Sequence, residues 1–575
     1  MHHPSQRRKA LQARFPIWTP RTISQSLDAM AVEFGQRAMV ITDAASYSYA
    51  DVQDWSRNLA AGLVAEGVAP GDHVALIMAN FPEYVAVKYA ISRVGAVAVP
   101  INFLLRRQEL SYILAQSECT ALVVMDQLRD RDYLADLDLI APGWESRNFG
   151  SSLPKLRRIY VFPTTGTTRA AASRLDKVAE LATPEARDQL VRRELTADPH
   201  FQSDVIYTSG TTGLPKGVVL THDMVLRTAY ASAYTRAFED GRRQLFALPM
   251  YHVFGYVEYL LAMHFVGGAI IPHVQFDAEQ MLSAAERHRA SEIGGVPTMM
   301  LKLLEVARTR GFDGSNLLAV FSSGGPSPLA IWQDIRDILG AREVMTGYGM
   351  SETTASTTCT LPEGPDLLLQ TTNGSFKPAG IAGDPALGGT LAQYKCVDPV
   401  TMSEVAPGAP GELMARGPII TSGYYKKPEE TEAAFDGEGW LHTGDIGTID
   451  TNGNLTLAGR IKESYRCGGE MVMPKQIEDL LNAHPAVAQV LVVGIPDFKM
   501  GEVGCVCVVP KSGHQRPDPD ELIALCASQL ARFKVPRHVL FLTADEIPLT
   551  ATGRPQKFRL RDWAVAALSP YPEST

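Results

Sequence analysis

Between residues 23 and 125 the apolar positions fall into two recurring patterns. Helical spacing at 59–66 and 83–94 alternates with short apolar runs at 73–78, 96–100 and 121–125. Alternation of this kind predicts βα units around a parallel sheet. The stretch 143–200 is charged and weakly periodic, and predicts a path across the surface. A second α/β run covers 202–353, with helices such as 277–289 and strands such as 319–322. From 380 to 459 the pattern changes to short strands broken by glycines, prolines and turn pairs such as Asn452-Gly453 and Asp436-Gly437, which predicts a compact β-rich unit. After Arg460 helices at 475–483 and 520–532 and strands at 487–494 and 504–510 give an α+β pattern. The expected fold class is α/β. A large N-terminal domain, 1–460, holds two parallel-type sheets plus a small barrel-like β-rich unit at about 380–459, and a small α+β domain, 461–575, follows.

The junction between two predicted strands, 204–207 and 218–220, carries the densest chemistry. It reads Tyr207-Thr208-Ser209-Gly210-Thr211-Thr212-Gly213-Leu214-Pro215-Lys216-Gly217. Glycines let backbone N–H groups approach a ligand, hydroxyls and amides donate to phosphate oxygens, and Lys216 adds a full charge. This is an anion cradle suited to a nucleotide polyphosphate. The GxxxxGK[ST] phosphate loop does not fit, because Pro215 precedes Lys216 and Gly217 follows it. A flexible linker fits less well, since the loop sits between two apolar strands, and Thr221-His222-Asp223 then opens a helix.

Composition narrows the partners. A chain of 575 residues exceeds one core, and 45% hydrophobic with 20% charged residues suits a globular enzyme. A net charge of −9 argues against nucleic acid as the main partner. The seven scattered cysteines include Cys505 and Cys507 within one apolar strand, so buried thiols in a reducing, cytoplasmic setting are expected rather than a metal site or disulfides. The basic start has no apolar run behind it, so no signal peptide is expected. No apolar stretch reaches spanning length, because 260–272 contains His264 and two glycines. Peripheral membrane contact stays compatible with a greasy substrate. Asp450–Asn454 lacks the ligand spacing of a calcium loop and predicts a hairpin turn.

Four further clusters follow the cradle. In Gly347-Tyr348-Gly349-Met350-Ser351-Glu352-Thr353 a ring can stack on a purine and a carboxylate can hold Mg2+ beside phosphates. Ser322-Ser323-Gly324-Gly325-Pro326 suits backbone contact with a flat ligand. Trp440-Leu441-His442-Thr443-Gly444-Asp445 offers a carboxylate for vicinal ribose hydroxyls, and Gly459-Arg460-Ile461-Lys462-Glu463 supplies two cations. Each cluster alone is more often structural. With Gly468-Gly469-Glu470 and the segment 548–561, in this order, the set resembles the adenylate-forming superfamily: acyl-CoA synthetases, carrier-protein adenylation domains and beetle luciferases. The resemblance runs from about residue 23 to 561.

The resemblance implies that a carboxylate attacks the α-phosphate of ATP, and that a thiolate then attacks the acyl-adenylate. Thr208, Ser209, Gly210, Thr211, Thr212 and Lys216 would hold the β- and γ-phosphates, and Glu352 with Thr208 would bind Mg2+. Tyr348, between Gly347 and Gly349 in a turn that ends at Thr353, would pack on adenine beside Gly324 and Gly325. Asp445 and Arg460 would fix the ribose. Lys462 matches the hinge about which a mobile C-terminal domain swings, and Gly468 and Gly469 would line the pantetheine channel of coenzyme A. One position departs from the family: Arg554 stands where a lysine reaches carboxylate and ATP. It keeps the charge in a bulkier, planar group. Lys557 does not replace that lysine, because the family already has a basic residue there.

The segment 248–255 resembles the family's acyl gate, where His252 would orient a carboxylate, act as a gate, or simply pack among aromatics. The acidic anchor of amino-acid-activating domains is not recognisable, which favours a plain carboxylic acid. The expected function is an ATP-dependent carboxylic acid–CoA ligase for a medium-chain, fatty, alicyclic or aromatic acid. Lys216, Glu352, Arg554, Thr208 and His252 are its candidate catalytic groups. The alternatives are a free-standing enzyme that loads a carrier protein, and a nucleotide-binding pseudo-ligase disabled at Arg554.

Overall fold

The computed structural model describes residues 2–147, 149, 152–208, 214–325, 331–468, 470–511, 513–549 and 555–568. Two mainly parallel sheets carry its larger part. The six-stranded sheet runs in the order Lys216–Thr221, Gln202–Thr208, Val97–Pro100, His73–Ile77, Ala121–Met125, Arg158–Phe162. Only its first strand is antiparallel to its neighbour. The seven-stranded sheet runs Glu343–Met345, Ala319–Ser322, Glu292–Gly295, Arg243–Phe246, Ala269–Pro272, Ala38–Ile41, Ser46–Ser48. The predicted strands at 73–78, 96–100, 121–125 and 319–322 thus appear within a residue or two of their expected ends.

Helix 59–66 is longer than its pattern suggests. It spans Tyr49–Ala65, because Ser48 and Asp51 form a capping box that starts it sooner. The surface path expected for 143–200 is corrected. Arg158–Phe162 is a strand whose Ile159, Tyr160 and Val161 are buried against Ala121–Met125. The charges of that stretch fall partly on the neighbouring helices Leu175–Leu181 and Pro184–Thr196 and partly on residues flanking the strand, such as Lys155 and Arg157, and they masked a short strand with a buried centre.

Beyond these sheets, Gly347–Met350, Ala355–Cys359 and Ser375–Phe376 form a three-stranded sheet, and Gln393–Val397, Gly411–Arg416, Leu441–Ile449 and Leu455–Arg460 a four-stranded antiparallel one. After Arg460 the strands Glu470–Val472, Tyr465–Cys467, Gly501–Pro510, Val487–Asp497 and His538–Phe541 build a separate sheet flanked by the helices Pro474–Asn482, Pro519–Gln529 and Lys557–Leu568. All seven cysteines are free and buried. Among the described residues no helix is long and apolar enough to cross a membrane.

Candidate active site

Residues 209–213 lie outside the described residues, and with them Ser209, Gly210, Thr211 and Thr212. Their frame is well defined. Lys216 pairs with Thr208 and Gly217 with Tyr207 across an antiparallel hairpin. A Cβ on Gly217 would lie 2.5 Å from Val205 Cγ1, so this strand needs glycine there. Beneath the hairpin, Asp204 forms a fully buried ion pair with Lys88 from the helix Pro82–Val94.

Lys216 Nζ lies 4.6 Å from the Tyr424 ring centre, within cation–π range. The Tyr424 hydroxyl donates to Glu352 Oε1 at 3.0 Å, and the Glu352 carbonyl accepts from Thr421 N–H at 2.8 Å. Burial raises the Glu352 pKa above the usual carboxylate value; the Tyr424 hydrogen bond and Arg460 offset only part of that. Tyr424 therefore links the cradle lysine to the candidate metal carboxylate, and sequence reasoning missed it. The available signal was the aromatic pair Tyr424-Tyr425 beside two lysines. Among the described residues no cluster of three or more His, Cys, Asp or Glu could hold a metal ion. A single buried carboxylate short of charge compensation fits Mg2+, which keeps its waters and takes one or two carboxylates plus substrate phosphates. Thr208, at the strand end opposite Lys216, has its hydroxyl 3.5 Å from the Lys216 carbonyl.

The adjoining cavity, about 210 Å³, is lined by Ser323, Gly324, Gly325, Gly347, Tyr348, Gly349, Asp445 and Arg460, and on its other side by Glu463, Glu478, Pro555 and Lys557. The Tyr348 hydroxyl donates to Asp445 Oδ2 at 2.6 Å. Asp445 and Arg460 are cross-strand partners, with Arg460 Nε 2.9 Å from Asp445 Oδ1. That contact is an ion pair without hydrogen-bond alignment, so both buried atoms keep unused hydrogen-bonding capacity. An acceptor and a donor left open side by side suit the two hydroxyls of a ribose. Burial works against the Arg460 charge, but Asp445 and then Glu463 outweigh it. Burial, then Lys216 and Arg460, lower the Lys462 pKa. Thr353 turns inward instead: its hydroxyl lies 3.1 Å from the Met350 carbonyl and 3.0 Å from that of Ala355.

His252 caps the short helix Val253–Gly255, with Nδ1 accepting from Phe254 N–H at 3.2 Å. Burial lowers its pKa to about 4, so near neutral pH the ring is uncharged and Nε2 carries the proton. Phe254 packs against Phe321 and Tyr259 with ring centres 5.7 and 5.8 Å away. A Cβ on Gly324 would lie 3.5 Å from Val296 and 3.9 Å from Phe254. The gate segment therefore meets the nucleotide cavity at Gly324. Gly468 is exposed, binds the Met500 carbonyl through its N–H at 2.8 Å and is not among the residues lining the cavity; Gly469 lies outside the described residues.

Arg554 also lies outside the described residues. The ends of its segment are tied: Leu549 pairs with Pro555, and Gln556 N–H donates to the Pro548 carbonyl at 2.7 Å. Lys557 sits 2.7 Å from Glu478 and 3.7 Å from Glu463, so its charge is already paired.

The fold and site define a nucleotide-binding enzyme whose cavity lies between a large α/β part and a small C-terminal unit. The sequence pattern of the family described as "AMP-binding enzyme" matches residues 27–425, and that of "AMP-binding enzyme C-terminal domain" matches 476–554. YngI of Bacillus subtilis, named an acyl-CoA synthetase, is 34% identical over 94% of this chain and 96% of its own length. A methyl-dioxo-octahydro-indenyl propanoyl:CoA ligase of Mycobacterium tuberculosis is 32% identical over 94% of this chain and 99% of its own. Among solved structures, ATP-bound MatB from Rhodopseudomonas palustris superposes with a TM-score of 0.80 at 25% identity, over 95% of this chain and 100% of that one. The chain belongs to the adenylate-forming, AMP-binding enzyme family, in its acyl-CoA synthetase group.

Proposed function

We propose that this enzyme joins a medium-chain, alicyclic or aromatic carboxylic acid to coenzyme A at the expense of ATP, and that it works in the cytoplasm. The observation that carries the reading is the Tyr348–Asp445–Arg460 group, which lines the cavity and is left with open hydrogen-bonding capacity where a nucleoside would sit. In the first step a carboxylate oxygen bonds to the α-phosphorus of ATP and pyrophosphate leaves. In the second, the coenzyme A thiolate bonds to the acyl carbon and AMP leaves. Two anions must meet in the first step, so alignment and charge neutralisation matter more than covalent help.

Lys216, Arg460 and Lys462 supply positive charge along the polyphosphate, with Thr208 and the 209–213 segment as hydroxyl and amide donors. Glu352 would hold Mg2+, which disperses charge on the phosphates when bound. Neutral His252 offers Nε2–H to the acid's carboxylate beside Phe254. Residues 461–575 act as the lid domain that brings Arg554 to the first step and Gly468-Gly469 to the second. The aromatic surroundings of Phe254 and its junction with glycine at 324 favour a ring or a chain of moderate length. The fused-ring acid named for the mycobacterial relative is in keeping with that choice.

The test is AMP release with free coenzyme A across a panel of chain and ring acids. Turnover with medium-chain or cyclic acids is expected. Activity confined to acetate and propionate would overturn the substrate class, and pyrophosphate exchange without acyl-CoA formation would overturn the choice of acceptor.

A further inference from the structure

The turn that carries Glu352 is bent in a way its backbone resists. In the hairpin of Gly347–Met350 and Ala355–Cys359, Met350 faces Ala355 and Gly349 faces Ser356. Thr354 and Ala355 both have positive φ, 60° and 122°. Two consecutive side-chain-bearing residues in this region are strained and persist only where their surroundings hold them. The strands also approach so closely that a Cβ on Gly349 would lie 1.9 Å from the Ala355 carbonyl oxygen.

The group that holds them comes from the acyl side. Glu258 lies in the π-helical segment Tyr256–Leu261, just past His252 and Phe254, and is 1% exposed. Its Oε1 accepts from Ser356 N–H at 3.0 Å and from the Ser356 hydroxyl. Lys377 Nζ lies 3.0 Å from that hydroxyl, 3.1 Å from the Ser356 carbonyl and 3.4 Å from Glu258 Oε1. Arg236 completes the charge balance, 3.6 Å from Oε2 and itself bound to Glu292 at 2.6 Å. The carboxylate thus grips, through backbone and side chain, the residue directly after the strained pair. Glu258 also balances the buried Lys377, and its two contacts with Ser356 come in addition to that pairing. Single-turn π segments recur at functional sites.

We propose that Glu258 is a positioning residue that, by gripping Ser356, holds the Glu352 turn in the strained form needed for magnesium-bound nucleotide and ties that turn to the acyl gate segment. The inference rests on the assignment of Glu352 to magnesium-bound ATP. Glu258 itself does not line the nucleotide cavity; it acts through Ser356.

The test compares AMP with α,β-methylene-ATP, titrated by calorimetry with and without Mg2+, on the full chain and on Ser356→Ala, Ser356→Thr and Glu258→Gln. Groups that orient a metal ligand typically change metal affinity about 10–100-fold. Ser356→Ala should therefore lower the Mg2+-dependent gain in analogue affinity about tenfold, with AMP affinity within about twofold. Ser356→Thr, which keeps the hydroxyl, should restore the gain, and Glu258→Gln should lose at least as much as Ser356→Ala. An unchanged Mg2+ dependence in Ser356→Ala and Glu258→Gln would overturn the proposal. So would a parallel loss of AMP and analogue binding, which marks general structural damage. No acid is needed for this readout, so failure of the acyl-CoA assay would count against the ligase reading and leave this one to be judged on its own data.

Discussion

The two walls of the nucleotide cavity differ in how their polar groups are satisfied. On the sheet side, Asp445 and Tyr348 are buried and Arg460 half-buried; Asp445 and Arg460 pair across strands and are still left with an acceptor and a donor open at Oδ1 and Nε. On the C-terminal side, Lys557 lies between Glu478 and Glu463, and Glu478 also accepts from Val492 N–H at 2.7 Å. A buried polar group with spare capacity gains from a ligand, whereas one already paired gains little. The first wall is therefore the one suited to gain from a ligand, as the proposed nucleotide site requires. The second carries its charges already paired with one another.

Breaking the sheet-side wall should have the largest effect. In Asp445→Asn the carboxylate that pairs Arg460 and accepts from Tyr348 is lost. Hydrogen bonds to charged groups are worth about 1.5–3 kcal/mol each, so AMP affinity should fall on the order of 100-fold. Calorimetric titration checks this. A loss under about fivefold would mean that the pair is structural, and the contrast between the walls would fail.

Acid should sharpen the contrast from another direction. His222 and His264 are fully enclosed in the larger part of the chain, and burial lowers both pKa values to about 3. Their unfolded value lies near 6.5, so between pH 6.5 and about 3 the unfolded chain binds protons that the native one does not. The stabilisation is fully present above pH 6.5 and is lost as the pH falls, at about 1.4 kcal/mol per pH unit for each group. The described histidines after Arg460, namely His484, His514 and His538, are all at least partly exposed. Hydrogen exchange at pH 7 and pH 5 should therefore show protection falling in the two parallel-type sheets before it falls in the C-terminal sheet. Equal loss in both parts would remove the distinction.

What was legible in the chain follows the same division between local and long-range chemistry. Tyr348, Asp445 and Arg460 could be read because each sits in a short motif with its own glycines and turn residues. The βα alternation gave 73–78, 96–100 and 121–125 of the six-stranded sheet and 319–322 of the seven-stranded one, since buried parallel strands are continuous apolar runs. Tyr424 and Glu258 were not legible: their partners, Glu352 and Ser356, lie far along the chain, and no local spacing marks such contacts. Arg158–Phe162 was lost among arginines because a five-residue buried strand carries little periodicity of its own. The role of Lys557 needed the fold as well, for only there do Glu478 and Glu463 converge on it.

The smallest effect tests the C-terminal wall at its outer contact. Glu463 lies 3.7 Å from Lys557, and its side chain is 22% exposed. Glu478 is 2.7 Å away, 4% exposed, and held by a backbone N–H as well. A longer, partly hydrated pair contributes about 0.2–1 kcal/mol, whereas removal of the inner carboxylate leaves the largely enclosed Lys557 ammonium with only its 3.7 Å partner, at a greater cost. Glu463→Gln should thus shift the urea midpoint only slightly and leave AMP affinity within about twofold, while Glu478→Gln should lower stability clearly. A large loss of nucleotide binding in Glu463→Gln would show that this carboxylate contacts the ligand. The two walls would then share recognition, and the lid could not withdraw without cost to the bound nucleotide.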